Sequence, residues 1–241
     1  MDAQPASSRA VAWTGAVLFV AALAYFLFSY SVTFAEIASA GGTAAPIVVD
    51  VALFSAFALH HSIFARDSVR ARVRTTIPPE LERSVYVWVA SLMLIGACFF
   101  WRPVPGVLWQ LAAPWSWGLT AIQLVGAWLT IRSAAVIDVF DLAGVSQVLN
   151  PNSQLPTPNS HIAEFKTVGP YGIVRHPIYL GWILVVFSVG TMTMTRLVFA
   201  VTSSVYILIA IPFEERTIRL HSPAYADYMR KVPRKLIPGI Y

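Results

Sequence analysis

Cysteine is almost absent from this chain, and charge is scarce. A single Cys98 among 241 residues excludes an internal disulfide and any cysteine-based metal site. It lies inside an apolar run, without the electropositive setting that activates a thiol, and reads as packing. Charged residues make up 12% of the chain against 57% hydrophobic, which excludes the balance of an ordinary soluble domain. Residues 10–35, 84–101, 177–195 and 197–213 carry no charge at all. Residues 46–65 carry Asp50 and the His60-His61 pair, and 116–137 carries only Arg132. A bilayer core about 30 Å thick needs roughly 20 helical residues, so these runs predict about six transmembrane helices. The fold class expected is an all-α integral membrane protein. Ala38-Ser39-Ala40 resembles a signal cleavage site, but the apolar run before it exceeds the roughly 7–15 residues of a signal core, so the first run is expected to stay as a span.

The basic residues are distributed unevenly. Arg66, Arg70, Arg72, Arg74 and Arg83 follow the second run, Lys166 and Arg175 lie between the fourth and fifth, and six more occupy the tail from Arg216 to Lys235. With Arg9 and Arg132 on the same side, only Arg102 and Arg196 remain on the other. By the positive-inside rule both termini are cytoplasmic, which agrees with an even number of spans. The net charge of +5 therefore reads as topology and contact with anionic membrane lipids, not as nucleic-acid binding.

No internal repeat or low-complexity tract divides the chain, so residues 1–241 are expected to form a single polytopic membrane domain. Within it, residues 1–137 form an N-terminal four-helix region and 138–176 a cytosolic loop segment, followed by a helical hairpin over 177–213 and an interfacial tail over 214–241. Segments 36–45, with Gly41-Gly42, and 102–115, with Pro103, Pro105, Gly106 and Pro114, read as turns. The hairpin is expected to reverse tightly near Thr193–Arg196, and the polar stretch Asn150–Asn159 to be a loop. Leu220, Tyr225, Tyr228 and Met229 recur at near-helical spacing among basic residues, which suits a helix lying on the inner leaflet.

Ionisable side chains near membrane spans are usually functional or paired, and here they collect at one end. His60 and His61 end the second run, Arg132, Asp138 and Asp141 the fourth; Arg175 and His176 open the fifth, and Glu214 and Glu215 close the sixth. Such residues can also simply reach the headgroups, and for Arg66–Arg74 and the tail cations that suffices. Crossing from Pro177 and returning to Phe213 brings His176 and Glu214 to similar depth, which favours a site. Pro177 fits the first turn of a helix, whose free N–H groups favour an anion beside Arg175 and His176. Acidic residues opposite suit hydroxyls or an ammonium. A carboxylate, an ammonium and ribose hydroxyls together describe S-adenosylmethionine, although periodicity alone names no ligand.

The motif Gly169-Pro170-Tyr171-x-x-Val174-Arg175-His176-Pro177-x-Tyr179-x-Gly181 is followed by Phe213-Glu214-Glu215-Arg216, then His221-x-x-x-Tyr225-x-x-Tyr228 and Val232-Pro233. It resembles the membrane methyltransferases related to isoprenylcysteine carboxyl methyltransferase and the phospholipid methyltransferases. His61-Ser62-x-x-Ala65-Arg66, Pro78-Pro79-x-x-Glu82-Arg83-Ser84-x-Tyr86 and Phe140-Asp141-Leu142-x-Gly144-x-x-Gln147-Val148 extend the similarity over nearly the whole chain. They resemble the bacterial methanethiol S-methyltransferase branch. The chain departs from that branch at Asp138-Val139, where Asn-His is expected.

The resemblance implies S-adenosylmethionine as methyl donor, bound at the cytosolic boundary on the C-terminal hairpin. Arg175, His176 and Tyr179 would contact its methionyl end, Glu214 or Glu215 its ribose or ammonium, and Tyr171 would line the adenosine pocket. It implies a bacterial inner-membrane enzyme that methylates a small thiol, with no resident metal and no obligate protein partner. His61 is the first candidate for the base that takes the thiol proton, and Asp141 the second. Two rival readings stay open. One is a methyltransferase for an isoprenylcysteine carboxylate or a lipid amine. The other is a membrane protein similar to the NnrU type, either haem-binding through His60 or His61 or without catalytic activity.

Overall fold

The computed structural model describes residues 5–64, 66–149, 168–237, 239 and 241. In chain order its helices are α1 (Ala6–Ser31), α2 (Ala44–Phe64), α3 (Asp67–Val73), α4 (Glu82–Phe100), α5 (Trp115–Ile137), α6 (Val139–Leu142), α7 (Ser146–Leu149), α8 (Pro177–Phe187), α9 (Met194–His221) and α10 (Ala224–Lys231). Two short strands, β1 (Val107–Gln110) and β2 (Thr191–Thr193), pair antiparallel. The stretch Asn150–Asn159, expected as a loop, lies outside the described residues. Helices α1, α2, α4, α5 and α9 are long and apolar enough to cross a membrane. Val48, Leu124 and Phe213 on them are each about two-thirds exposed, as lipid-facing side chains are. The chain is an all-α integral membrane protein.

The expected fifth span is a different object. Helix α8 has 11 residues and rises about 16 Å, roughly half the apolar thickness of a bilayer. It stops at Ser188, and the chain continues extended into β2. Trp109 Nε1–H donates to the Val189 carbonyl at 2.9 Å, and Leu111 N–H donates to the Gly190 carbonyl at 2.9 Å. The segment expected as a turn therefore contains β1, whose partner is the end of the fifth apolar run. The reversal near Thr193–Arg196 is a helix cap: the Thr193 hydroxyl accepts the Arg196 N–H at 3.1 Å and starts α9.

The described residues fall into two compact units. The first takes those of Met1–Phe34, Ala44–Arg102 and Val139–Leu155. In it α1 and α2 both pack on α4. Asp50, Phe54 and Ala58 form the buried stripe of α2 at helical spacing, and Asp50 Oδ1 accepts the Arg102 N–H at 2.7 Å just past the end of α4. Val145 and Val148 of the α6–α7 segment are fully buried against Ala12. The Ser84 hydroxyl holds the same segment by donating to the Gly144 carbonyl at 2.7 Å.

The second unit takes the described residues of Ala35–Thr43, Pro103–Asp138 and Pro156–Tyr241. Its centre is the close crossing of α5 and α8. A Cβ on Gly181 would lie 2.3 Å from Thr130 Oγ1 and 2.6 Å from the Gly126 carbonyl oxygen. Only glycine lets these two backbones approach, which gives the last glycine of the Arg-His-Pro motif a packing role. Asp138, at the position that departs from the resembling branch, ends α5 with φ of 98°, a region costing a non-glycine residue about 1–3 kcal/mol.

The tail corrects a further expectation. It is not one interfacial helix: α9 runs on to His221, Ser222-Pro223 break it, and α10 follows. Tyr225 and Tyr228 are buried against Ile218 and Val232 instead of facing lipid. Leu236 is fully buried with Ile207 and Ile211.

Candidate functional site

Six of the residues singled out in the sequence come together in the second unit. Gly169-Pro170-Tyr171-Gly172 form a tight turn, and His176 stands at the N-cap of α8 with Pro177 in the first turn. Helix α9 returns at that depth through its Glu214-Glu215 pair. The arms are unequal, since α8 is extended by a strand whereas α9 is helical throughout. Even so, His176 Nε2 meets Glu215 Oε1 at 3.1 Å.

The two glutamates are held differently. Arg175 Nε–H donates to Glu215 Oε1 at 2.7 Å, with the two side chains only 3% and 7% exposed. Arg175 Nη1 also donates to the Val232 and Pro233 carbonyls at 2.9 and 2.7 Å. The backbone continues the junction: Arg175 N–H donates to the Arg234 carbonyl at 3.0 Å, and His176 N–H to the Lys235 carbonyl at 2.9 Å. Glu215 and Arg175 thus lock α9, the entry to α8 and the tail together. Glu214 is 29% exposed; its Oε2 lies 3.9 Å from His176 Nδ1 and accepts the Tyr179 hydroxyl at 3.0 Å. The His176 and Tyr179 rings stack at 5.5 Å between centroids and 7° between planes. One acidic residue is committed to the frame, and its neighbour is presented with an aromatic face beside it.

Tyr171 anchors the same region through its backbone, whose carbonyl accepts the Tyr228 hydroxyl at 2.8 Å. Burial raises the Tyr171 phenol well above the ordinary range, and the negative charge of Glu214 adds to this. Burial likewise pushes Tyr228 up to about 12. Both stay neutral hydroxyls at physiological pH. The role of Val232–Lys235 in this network is not readable from sequence, because it is made by main-chain carbonyls.

His61 and Asp141 belong to the first unit. His61 is exposed at the end of α2, with the Tyr86 hydroxyl bonded to its Nδ1. Tyr86 also stacks on His60 at 5.5 Å and 12°, and the Arg83 guanidinium sits 5.0 Å from its ring centroid. Asp141 is buried and accepts from the Gln147 amide. Arg83 and Tyr86 stand in the Pro78–Tyr86 motif, but the sequence assigns them no role; the structure places both beside the span-end histidines. Their spacing of three on one helix face, beside a histidine at a span end, is the available signal. Among the described residues no group of three or more His, Cys, Asp or Glu side chains is arranged to hold a metal ion.

These features define a polytopic all-α membrane protein with a buried arginine–histidine–glutamate network where two apolar helices meet. The chain belongs to the methanethiol S-methyltransferase family, a family of methyltransferase enzymes. It is 35% identical over 198 residues to methanethiol S-methyltransferase 2 of Bradyrhizobium diazoefficiens, covering 81% of this chain and 74% of that protein. With the methanethiol S-methyltransferase of Crocosphaera subtropica it shares 37% identity over 200 residues, covering 80% and 75%. A more distant relative, Nurim of Xenopus laevis, is 32% identical over 168 residues, covering 67% and 58%. No family model and no solved structure matches the chain.

Proposed function

We propose that this protein methylates methanethiol to dimethyl sulfide, with S-adenosylmethionine as methyl donor. The single observation that carries the reading is the Glu214–Tyr179–His176 face built on the Arg175–Glu215 lock, in a chain whose relatives are named for this reaction. S-adenosylmethionine supplies a methyl group on a positively charged sulfur. The residues fit such a ligand. An accessible carboxylate beside stacked aromatic rings suits an ammonium or ribose hydroxyls. His176 and the first turn of α8 suit a carboxylate. Glu214 is the glutamate that makes contact, Glu215 the one that frames. Tyr171 lines the adenosine side.

His61 takes the proton of the thiol. Asp141, engaged by Gln147 and buried, is less suited to the role. The substrate is a small thiol and the surroundings are membrane lipid; neither nucleic acid nor an obligate protein partner enters the reaction. The bias of Lys and Arg supports a bacterial inner-membrane location with both termini cytoplasmic. Headspace gas chromatography of the purified protein tests the reaction. Dimethyl sulfide is expected only when both methanethiol and S-adenosylmethionine are present. No product, with S-adenosylmethionine still bound, overturns methanethiol as acceptor and moves the search to isoprenylated carboxylates or lipid amines.

A further inference from the structure

Arg83 is a cation without a counter-ion. It lies half-buried in the first turn of α4, with its guanidinium 5.0 Å from the centroid of the Tyr86 ring. Its Nε is buried and has no hydrogen-bond partner. Glu82, its neighbour in sequence, is engaged by Arg70 and Arg74, and among the described residues no carboxylate pairs with Arg83. A cation in the first turn also adds to the positive end of the helix dipole instead of offsetting it. On the same Tyr86 ring His60 stacks at 5.5 Å between centroids and 12° between planes, and both of its nitrogens are buried without a partner. A neutral imidazole carries one N–H donor and one acceptor, so both are left over here. The Tyr86 hydroxyl satisfies neither residue, because it bonds His61. All of these side chains belong to the first unit.

We propose that Arg83 and His60 bind the phosphodiester headgroup of an anionic membrane lipid, whose acyl chains lie along α2. Three observations select that occupant. A partly buried guanidinium left without an anion is costly unless a ligand brings one, and its planar fork matches the oxygens of a phosphate. The chain beside His60 is apolar and open: Leu59 and Ile63, one turn apart on α2, are both exposed, so a lipid face runs up to the unpartnered polar groups. The bias of basic residues predicts that this end of α2 meets the inner leaflet, where basic pockets between spans take anionic headgroups. Phosphate oxygen answers Arg83, and a hydroxylated headgroup such as glycerol offers His60 both a donor and an acceptor. Both residues are only half-buried, so a headgroup can reach them from the membrane side. The inference concerns the first unit alone and does not depend on the reaction proposed above.

The test uses the full chain, delipidated in a neutral detergent, with phosphatidylglycerol, phosphatidylcholine or soluble glycerophosphoglycerol added at equal concentration. Phosphatidylglycerol is expected to raise the thermal unfolding midpoint of the wild type by roughly 4 °C or more, as a ligand of the folded state does. Phosphatidylcholine, whose headgroup carries its own cation, and the chainless headgroup are expected to do much less. Arg83→Gln should lose most of the shift. Arg72→Gln, which removes an exposed cation of α3 outside the cluster, should keep it. Native mass spectrometry supplies a second readout, the number of phosphatidylglycerol molecules retained per chain, which should fall by one in Arg83→Gln. His60→Phe keeps a ring against Tyr86 and removes both nitrogens, so it should lower retention even if Arg83→Gln proves too unstable to purify. Unchanged shift and retention in the variants that fold overturn the site. Equal losses in Arg72→Gln overturn it too, in favour of general surface charge. An equal response to phosphatidylcholine overturns the anionic headgroup, and an equal response to glycerophosphoglycerol overturns a lipid as the source of the phosphate.

Discussion

Glu214 and Glu215 are neighbours in the chain but point about 100° apart around α9, and that angle separates two jobs. Glu215 accepts from Arg175 and His176 at a site closed to solvent. Removing one member of a buried ion pair leaves the other charge uncompensated, at a cost of about 3–5 kcal/mol. Glu215→Ala and Arg175→Ala should therefore lower the unfolding midpoint in detergent sharply, and the Arg175 change should also release the tail carbonyls. Glu214 has one described hydrogen bond, from Tyr179, and a partly open carboxylate. Glu214→Ala should leave thermal unfolding within a few degrees of wild type while abolishing S-adenosylmethionine binding by calorimetry. His176→Ala should also lose binding. If Glu214→Ala binds normally and Glu215→Gln, which keeps the shape, does not, the assignment is reversed. Adjacent identical residues cannot be told apart by sequence, because their roles depend on which face of α9 the Arg175 side chain occupies.

At the scale of elements, the crossing of α5 and α8 places the entry to the site. His176 is the N-cap of α8, so whatever moves that helix moves the residues facing Glu214. A methyl group at Gly181 would collide with Thr130 and with the backbone at Gly126. Gly181→Ala should destabilise the protein by about 1–3 kcal/mol, the usual range for overpacking, and weaken S-adenosylmethionine binding. Gly118→Ala, also in α5 but opening onto free space, serves as the control and should be neutral or slightly stabilising. Chemical unfolding of the two variants beside binding titrations checks both expectations. The long helices were legible from uninterrupted apolar runs, because length alone decides whether a helix can span a bilayer. Helix α8 was not. Hydropathy does not distinguish Ser188-Val189-Gly190 and the threonines after it from the rest of a span, although small and β-branched residues end the helix and start a strand there. The tyrosines of α10 escaped for a related reason: near-helical spacing reveals one face, and only packing against Ile218 and Val232 shows that the face points inward.

For the whole molecule, the contact between His176 and Glu215 carries topological information. The chain from Pro177 through β2 and back along α9 leaves one depth and returns to it, although α8 alone is too short to span. The excursion counts as an outward and an inward passage, so β1, β2 and the start of α9 should face the side opposite the tail. The bias of basic residues independently predicts a cytoplasmic tail. The scarcity of cysteine makes this directly testable. Cys98 is buried, and Cys98→Ser gives a chain with no reactive thiol. In that background a cysteine at Leu108, exposed on β1, should react with a membrane-impermeant maleimide in intact spheroplasts. A cysteine replacing Arg234 should react only after permeabilisation. The substituted side chain at 234 leaves its backbone carbonyl free to accept from Arg175, so the tail junction is preserved. Labelling of both positions from outside would contradict the excursion, since β1 and the tail would then share a side. Labelling of position 234 alone would invert the orientation and place the candidate site outside. Protection of position 234 with labelling of 108 puts the Glu214 face on the cytoplasmic side, the compartment in which S-adenosylmethionine would have to reach it.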